Sequence, residues 1–131
     1  MGKFSNLETD IFDLFGSAEW QAESIPSFPA NFFPENVTGS FIRHSIVPSG
    51  ETLYANSVGG LLMVEIFTAA GRGPTASSEI ADTLDAHFQQ KTHGSTQFFR
   101  SNLGAVVKDP DNPTLARAIY QIPFSYFGVN S

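Results

Sequence analysis

The chain has 131 residues, 41% of them apolar with thirteen phenylalanines and only 15% charged, a composition that suits one packed domain and excludes a disordered tail or a coiled coil. Cysteine is absent, which excludes a disulfide framework and thiolate chemistry at a metal or a nucleophile. The formal net charge of −6 leaves no basic footprint for gripping nucleic acid, and it is uneven: residues 1–35 carry Glu8, Asp10, Asp13, Glu19, Glu23 and Glu35 against Lys3 alone.

Such an acidic surface repels a polyanion and lets DNA slide past. Acids interrupt the opening MGKFSNLETDIFD where an export signal needs an apolar run. Asn6 stands where a myristoylation pattern takes Ser or Thr, and the longest apolar run, Leu61 to Val64, is far short of a membrane span. Neither an export signal, a lipid anchor nor a membrane partner is expected.

Leu7, Ile11, Leu14, Phe15 and Ala18 recur at helical spacing behind Ser5-Asn6-Leu7-Glu8, which has the form of a capping box, so a helix is expected over 6–21. Gly16 marks an end or a kink in it. Residues 24–40 hold three prolines and Phe28, Phe32 and Phe33, which predicts an extended arm lying across the core or buried by a partner.

Strand patterns follow at 41–47, with Ile42, His44 and Ile46 on one face, and at 60–68, apolar on both faces and therefore central. AAGRGPTASSE (69–79) then leads into a helix over 79–90, striped by Ile80, Ala81, Leu84 and Phe88 and capped by Thr75, Ser77 or Ser78. Beyond it, 97–100 and 104–108 read as strand, 109–113 as a turn, and 116–127 as a long strand whose Pro123 belongs at an edge or a bulge. The expected domain is a single α+β unit: a small, mostly antiparallel sheet of four to five strands with two helices on one face.

No catalytic constellation stands out. Gly71-Arg72-Gly73-Pro74-Thr75 lacks the lysine of a phosphate-binding loop, and Pro74 removes an amide such a loop would use. His44, His87 and His93 fit no metal-ligand spacing, so no metal and no cofactor is expected; His44 reads as partly buried in the sheet and the other two as surface residues. Glu65, in the central strand, faces solvent or meets Arg43 or Arg117 across the sheet.

"FIRHSIVPSGE" (41–51), "GGLLMVEIFTAAGRG...ASSEIADTLDAHF" (59–88) and "YQIPFSYF" (120–127), in that order after a helix and a proline-rich arm, resemble the tail terminator-like (tail completion) proteins of long-tailed bacteriophages. The resemblance runs from about residue 7 to about residue 127, and it rests on order and spacing rather than on one chemical signature. It implies a non-enzymatic virion protein, made in the host cytoplasm, that forms a homo-oligomeric ring, usually a hexamer, at the head-proximal end of the tail tube. Its partners would be the tail tube protein and a head-completion or connector protein, with DNA passing through the lumen without specific binding. Another neck component, or a small domain binding an anion through Arg72, are the alternatives. Arg72, with Glu65 or a neighbour's acid as its partner, and Phe32 and Phe33 of the arm are the candidate subunit-interface or lumen residues.

Overall fold

Three long strands carry the architecture in the computed structural model, which describes residues 3–29, 40–48, 58–69, 74–94, 96–104, 107–108 and 115–126. β2 (Phe41–Pro48), β3 (Val58–Ala69) and β8 (Leu115–Tyr126) run antiparallel, with Ile42 opposite Ile66 and Ile66 opposite Ala118. Strict alternation gives β8 the burial of an interior strand on one side only: Ala116, Ala118, Tyr120, Ile122, Phe124 and Tyr126 are buried.

Shorter segments widen the sheet beyond the four to five strands expected. β1 (Ser27–Pro29) joins β2 in parallel, β4 (Thr92–His93) pairs with β5 (Thr96–Phe98), and β5, β6 (Asn102–Leu103) and β7 (Val107–Lys108) follow one another along β8. Among the described residues the result is one mixed sheet of eight paired segments, six strands across in the order β1-β2-β3-β8-β5-β4. The proline-flanked β1 takes an edge, where missing N–H groups cost nothing in the ladder. Pro123 sits inside β8, yet at the point where β5 has ended and β6 has not begun, its carbonyl accepting from the Phe99 amide.

Among the described residues there are three helices rather than two. α1 (Lys3–Phe15) stops where Gly16 and Ser17 break it, and α2 (Ala18–Gln21) starts again with Ser17 as its N-cap, its hydroxyl accepting from the Trp20 amide. α1 begins at Lys3, so Ser5 lies within the helix rather than ahead of it. α3 (Pro74–Phe88) starts five residues earlier than the sequence suggested, with proline in the first turn. Thr75, Ser77 and Ser78 are therefore inside α3 rather than caps.

α1 and α3 lie on the same face of the sheet. Leu7, Ile11, Leu14 and Phe15 from α1 and Ile80, Ala81, Leu84 and Phe88 from α3 form one core with Leu62, Val64 and Ile66 of β3 and the buried row of β8. Trp20, 1% exposed, closes the end of this core, its indole N–H donating to Ser27 Oγ at 2.8 Å. Two polar fastenings join elements distant in sequence. Tyr120 Oη and Ser101 Oγ both donate to Asp85 Oδ1, at 2.6 and 2.5 Å, and Thr96 Oγ1 donates to Asp10 Oδ2 at 2.9 Å.

Candidate assembly surface

The face of the sheet turned away from the helices is the side that the alternating pattern leaves open. Register places Val47, Leu61 and Pro123 in one row, Ser45, Met63 and Gln121 in the next, and Arg43, Glu65 and Ile119 in the third. The fourth row is Phe41, Phe67, Arg117 and Val107. Phe41 and Phe67 are buried, stacked with ring centroids 4.7 Å apart, and Phe28 packs edge-on against Phe41. Elsewhere the face is half-open: Leu61, Met63 and Ile119 are partly buried, and Val47, Val107 and Phe99, one residue past β5, are 42%, 52% and 44% exposed.

Glu65 sits in the middle of this face. Arg43 Nε and Nη2 both lie 2.8 Å from its Oε1, and Arg117 Nη1 lies 3.0 Å from its Oε2. Arg43 meets Glu65 because the two are directly opposite, whereas Arg117, opposite Phe67, reaches back diagonally. The Arg43 guanidinium also lies over the Phe67 ring, 5.4 Å from its centroid. Two arginines of adjacent strands thus meet one carboxylate.

The helical side carries exposed acids. Glu8 and Asp13 of α1 are exposed, and between them Phe12 is 46% exposed. A cleft of about 740 Å³ runs beside Asp13, lined by Asp10, Asp13, Glu19, His87, Lys91 and His93 among others, whereas Phe12 lines a separate hollow with Phe15, Gly16, Ser27, Pro29 and His44. His87 Nε2–H donates to Glu23 Oε2 at 3.0 Å and His93 Nε2–H donates to the His87 carbonyl at 2.6 Å, so each ring has one nitrogen engaged. Both are half-buried rather than at the open surface, and among the described residues no group of three or more His, Asp or Glu is arranged to hold a metal ion.

His44 is buried more deeply than a partly covered strand residue. It stacks on Phe15 at 4.3 Å and touches Phe12, and burial pushes its pKa down from 6.5 to about 4. Tyr120 is shifted the other way, far above its ordinary value, by burial first and then by the hydrogen bond to Asp85, so it remains a donor.

Of the candidate residues, Glu65 is the one placed, and both its carboxylate oxygens are taken by arginines of its own chain. Arg72, Phe32 and Phe33 lie outside the described residues. Phe12, outside the apolar stripe of its helix, and Val107, in a segment that reads as strand, were not singled out as surface residues. Exposure there depends on how far the neighbouring elements reach, which no local pattern reports.

No protein-family model matches the chain, and no curated protein matches it. A solved structure whose name carries no functional description is similar over 95% of this chain and 98% of its own, with a TM-score of 0.66 and 15% identity. At that identity the likeness supports the α+β fold and leaves the activity to the surface chemistry of this chain.

Proposed function

We propose that the chain is a structural virion protein that forms a ring at the head-proximal end of a phage tail tube, ends tube polymerisation and joins the tail to the head-completion proteins. The observation that carries this reading is the one-sided sheet. Helices cover one face, and the other presents Val47, Leu61, Met63, Ile119, Pro123 and Phe99 half-open around an ion cluster. A face of that kind suits association of copies, and a ring needs two different surfaces per subunit that meet head to tail.

The segments that carry the family resemblance are consistent with the reading. FIRHSIVP is β2, GGLLMVEIFTA lies in β3, ASSEIADTLDAHF lies in α3, and YQIPFSY lies in β8. They are the long elements of the fold rather than its two-residue segments. The subunit is expected to be a hexamer, to meet the tail tube protein on one side and a head-completion protein on the other, and to let DNA pass without specific binding.

Light scattering and negative-stain imaging of the purified protein, with and without phosphate or nucleotides, test the reading. A ring of six indifferent to those ligands is expected. A monomer that phosphate or nucleotides stabilise would overturn it in favour of an anion-binding domain.

A further inference from the structure

We propose that the hollow between the end of α1 and the first two strands binds a small neutral aromatic molecule carrying one hydroxyl group, of the phenol class, with His44 as its polar anchor. The site goes beyond the ring reading and does not depend on it.

Three elements build the hollow, whose volume is about 310 Å³. Phe12 and Phe15 come from the last turn of α1 and Gly16 from its break, Ser27 and Pro29 from β1, and His44 from β2. Register sets Pro29 directly opposite His44, so the two line adjoining parts of the wall. His44 is turned to the helical side of the sheet, where its ring stacks on Phe15 with centroids 4.3 Å apart and lies 5.5 Å from the ring of Phe12. Phe12, 46% exposed, forms the outer wall.

Charge and polarity of the walls select the occupant. Among the described residues, none that lines the hollow is an acid, a lysine or an arginine, and burial lowers the His44 pKa to about 4, so the imidazole is neutral at neutral pH. An ammonium or a carboxylate would enter without a counter-charge, whereas a neutral ring would not. Three aromatic side chains and a proline, around a volume at the small end of the range usual for ligand pockets, suit a single ring.

The hydroxyl follows from His44 itself. It is 6% exposed and makes ring contacts but no hydrogen bond to any described residue. Ser27, the other polar side chain of the wall, is already engaged: its Oγ accepts from Trp20 Nε1 and donates to the Ile25 carbonyl. A neutral imidazole carries one donor and one acceptor nitrogen, and leaving them unpaired in a buried place is unfavourable. A hydroxyl both donates and accepts, so it satisfies whichever nitrogen faces the hollow.

The test titrates the full chain with para-cresol and, separately, with toluene, which has the same ring and methyl group without the hydroxyl. Binding is followed by NMR through the indole N–H of Trp20, the only tryptophan, because that N–H donates to Ser27 Oγ in the wall. Para-cresol is expected to bind more tightly than toluene. His44→Phe keeps an aromatic ring and removes both nitrogens; it is expected to weaken para-cresol about tenfold and to leave toluene within about twofold. Phe12→Ala, at an exposed position, is expected to weaken both probes about fivefold through the loss of one wall ring.

Para-cresol that shifts no resonance, or that binds no better than toluene, would overturn the site. So would a His44→Phe variant that weakens both probes equally or neither, and so would benzoate that binds more tightly than para-cresol. Circular dichroism identifies a variant that fails to fold; should His44→Phe do so, the wild-type preference for para-cresol over toluene and the Phe12→Ala titrations decide.

Discussion

Gly94 offers a sharp test of how α1 is fastened to the β4–β5 turn. Its φ is +59°, and a methyl group built there would stand 2.6 Å from Asp10 Cγ and 2.8 Å from Oδ2. In Gly94→Ala the left-handed backbone alone costs about 1–2 kcal/mol. The Asp10 carboxylate must also swing away, which breaks its hydrogen bond with Thr96, a residue with no solvent exposure. An unpaired buried hydroxyl adds about 1–2 kcal/mol, so the total expected loss is about 2–4 kcal/mol.

A double-mutant cycle separates the two contributions. In an Asp10→Ala background the clash is absent and the Thr96 bond is already lost, so Gly94→Ala there retains only the backbone strain, about 1–2 kcal/mol. Urea unfolding followed by Trp20 fluorescence measures all four proteins, because Trp20 is buried against Phe15 at the junction of α2 with the core. Equal costs of Gly94→Ala in both backgrounds would refute the account, since the coupling between residues 10 and 94 is its substance.

Three further outcomes are expected. The His44 imidazole binds its proton near pH 6.5 in the unfolded chain and only near 4 when folded, so the unfolded state gains protons first and stability falls as pH drops through that window; about 2.5 kcal/mol is lost between pH 7.5 and 4.5, and His44→Leu removes that part of the slope in unfolding curves. Tyr120→Phe removes one of two donors to Asp85 and costs about 1.5 kcal/mol by urea unfolding, while Ser101→Ala on top of it costs more than alone because Asp85 is then left without either. Glu65→Gln leaves Arg43 and Arg117 facing one another across a partly exposed site and costs about 1–2 kcal/mol, of which Arg117→Met in the same chain recovers a part; an additive double mutant would count against the cluster.

The long elements were legible because their periodicity is long. The alternation of β2, β3 and β8 and the stripe of α3 are sustained over eight to fifteen residues. Two-residue segments such as β4, β6 and β7 carry no period, and β1 is hidden by the prolines at 26 and 29, so the sheet came out wider than its pattern. Pro74 read as turn punctuation, when in the first turn of α3 its fixed φ and missing N–H are no handicap. Glu65 with Arg43 followed from cross-strand position, since both stand on the open face of adjacent strands. Asp85 with Tyr120 and Ser101, and Asp10 with Thr96, join residues 16 to 86 positions apart, and only the folded chain brings them together.

The ion cluster in the open face also bears on why such a face is compatible with a controlled assembly. A wholly apolar sheet face would accept any apolar partner in any orientation, whereas charges set within it make most orientations costly. Arg43 and Arg117 are held by Glu65, so their guanidinium groups are fixed before a partner arrives and little side-chain entropy remains to be lost on contact. Removing Glu65 therefore perturbs two properties separable by experiment: the stability of the subunit, through the loss of both ion pairs, and the order of the arginines, through the loss of the carboxylate that orients them. On the ring reading, the second effect appears as weaker assembly even under conditions where the first leaves the subunit fully folded.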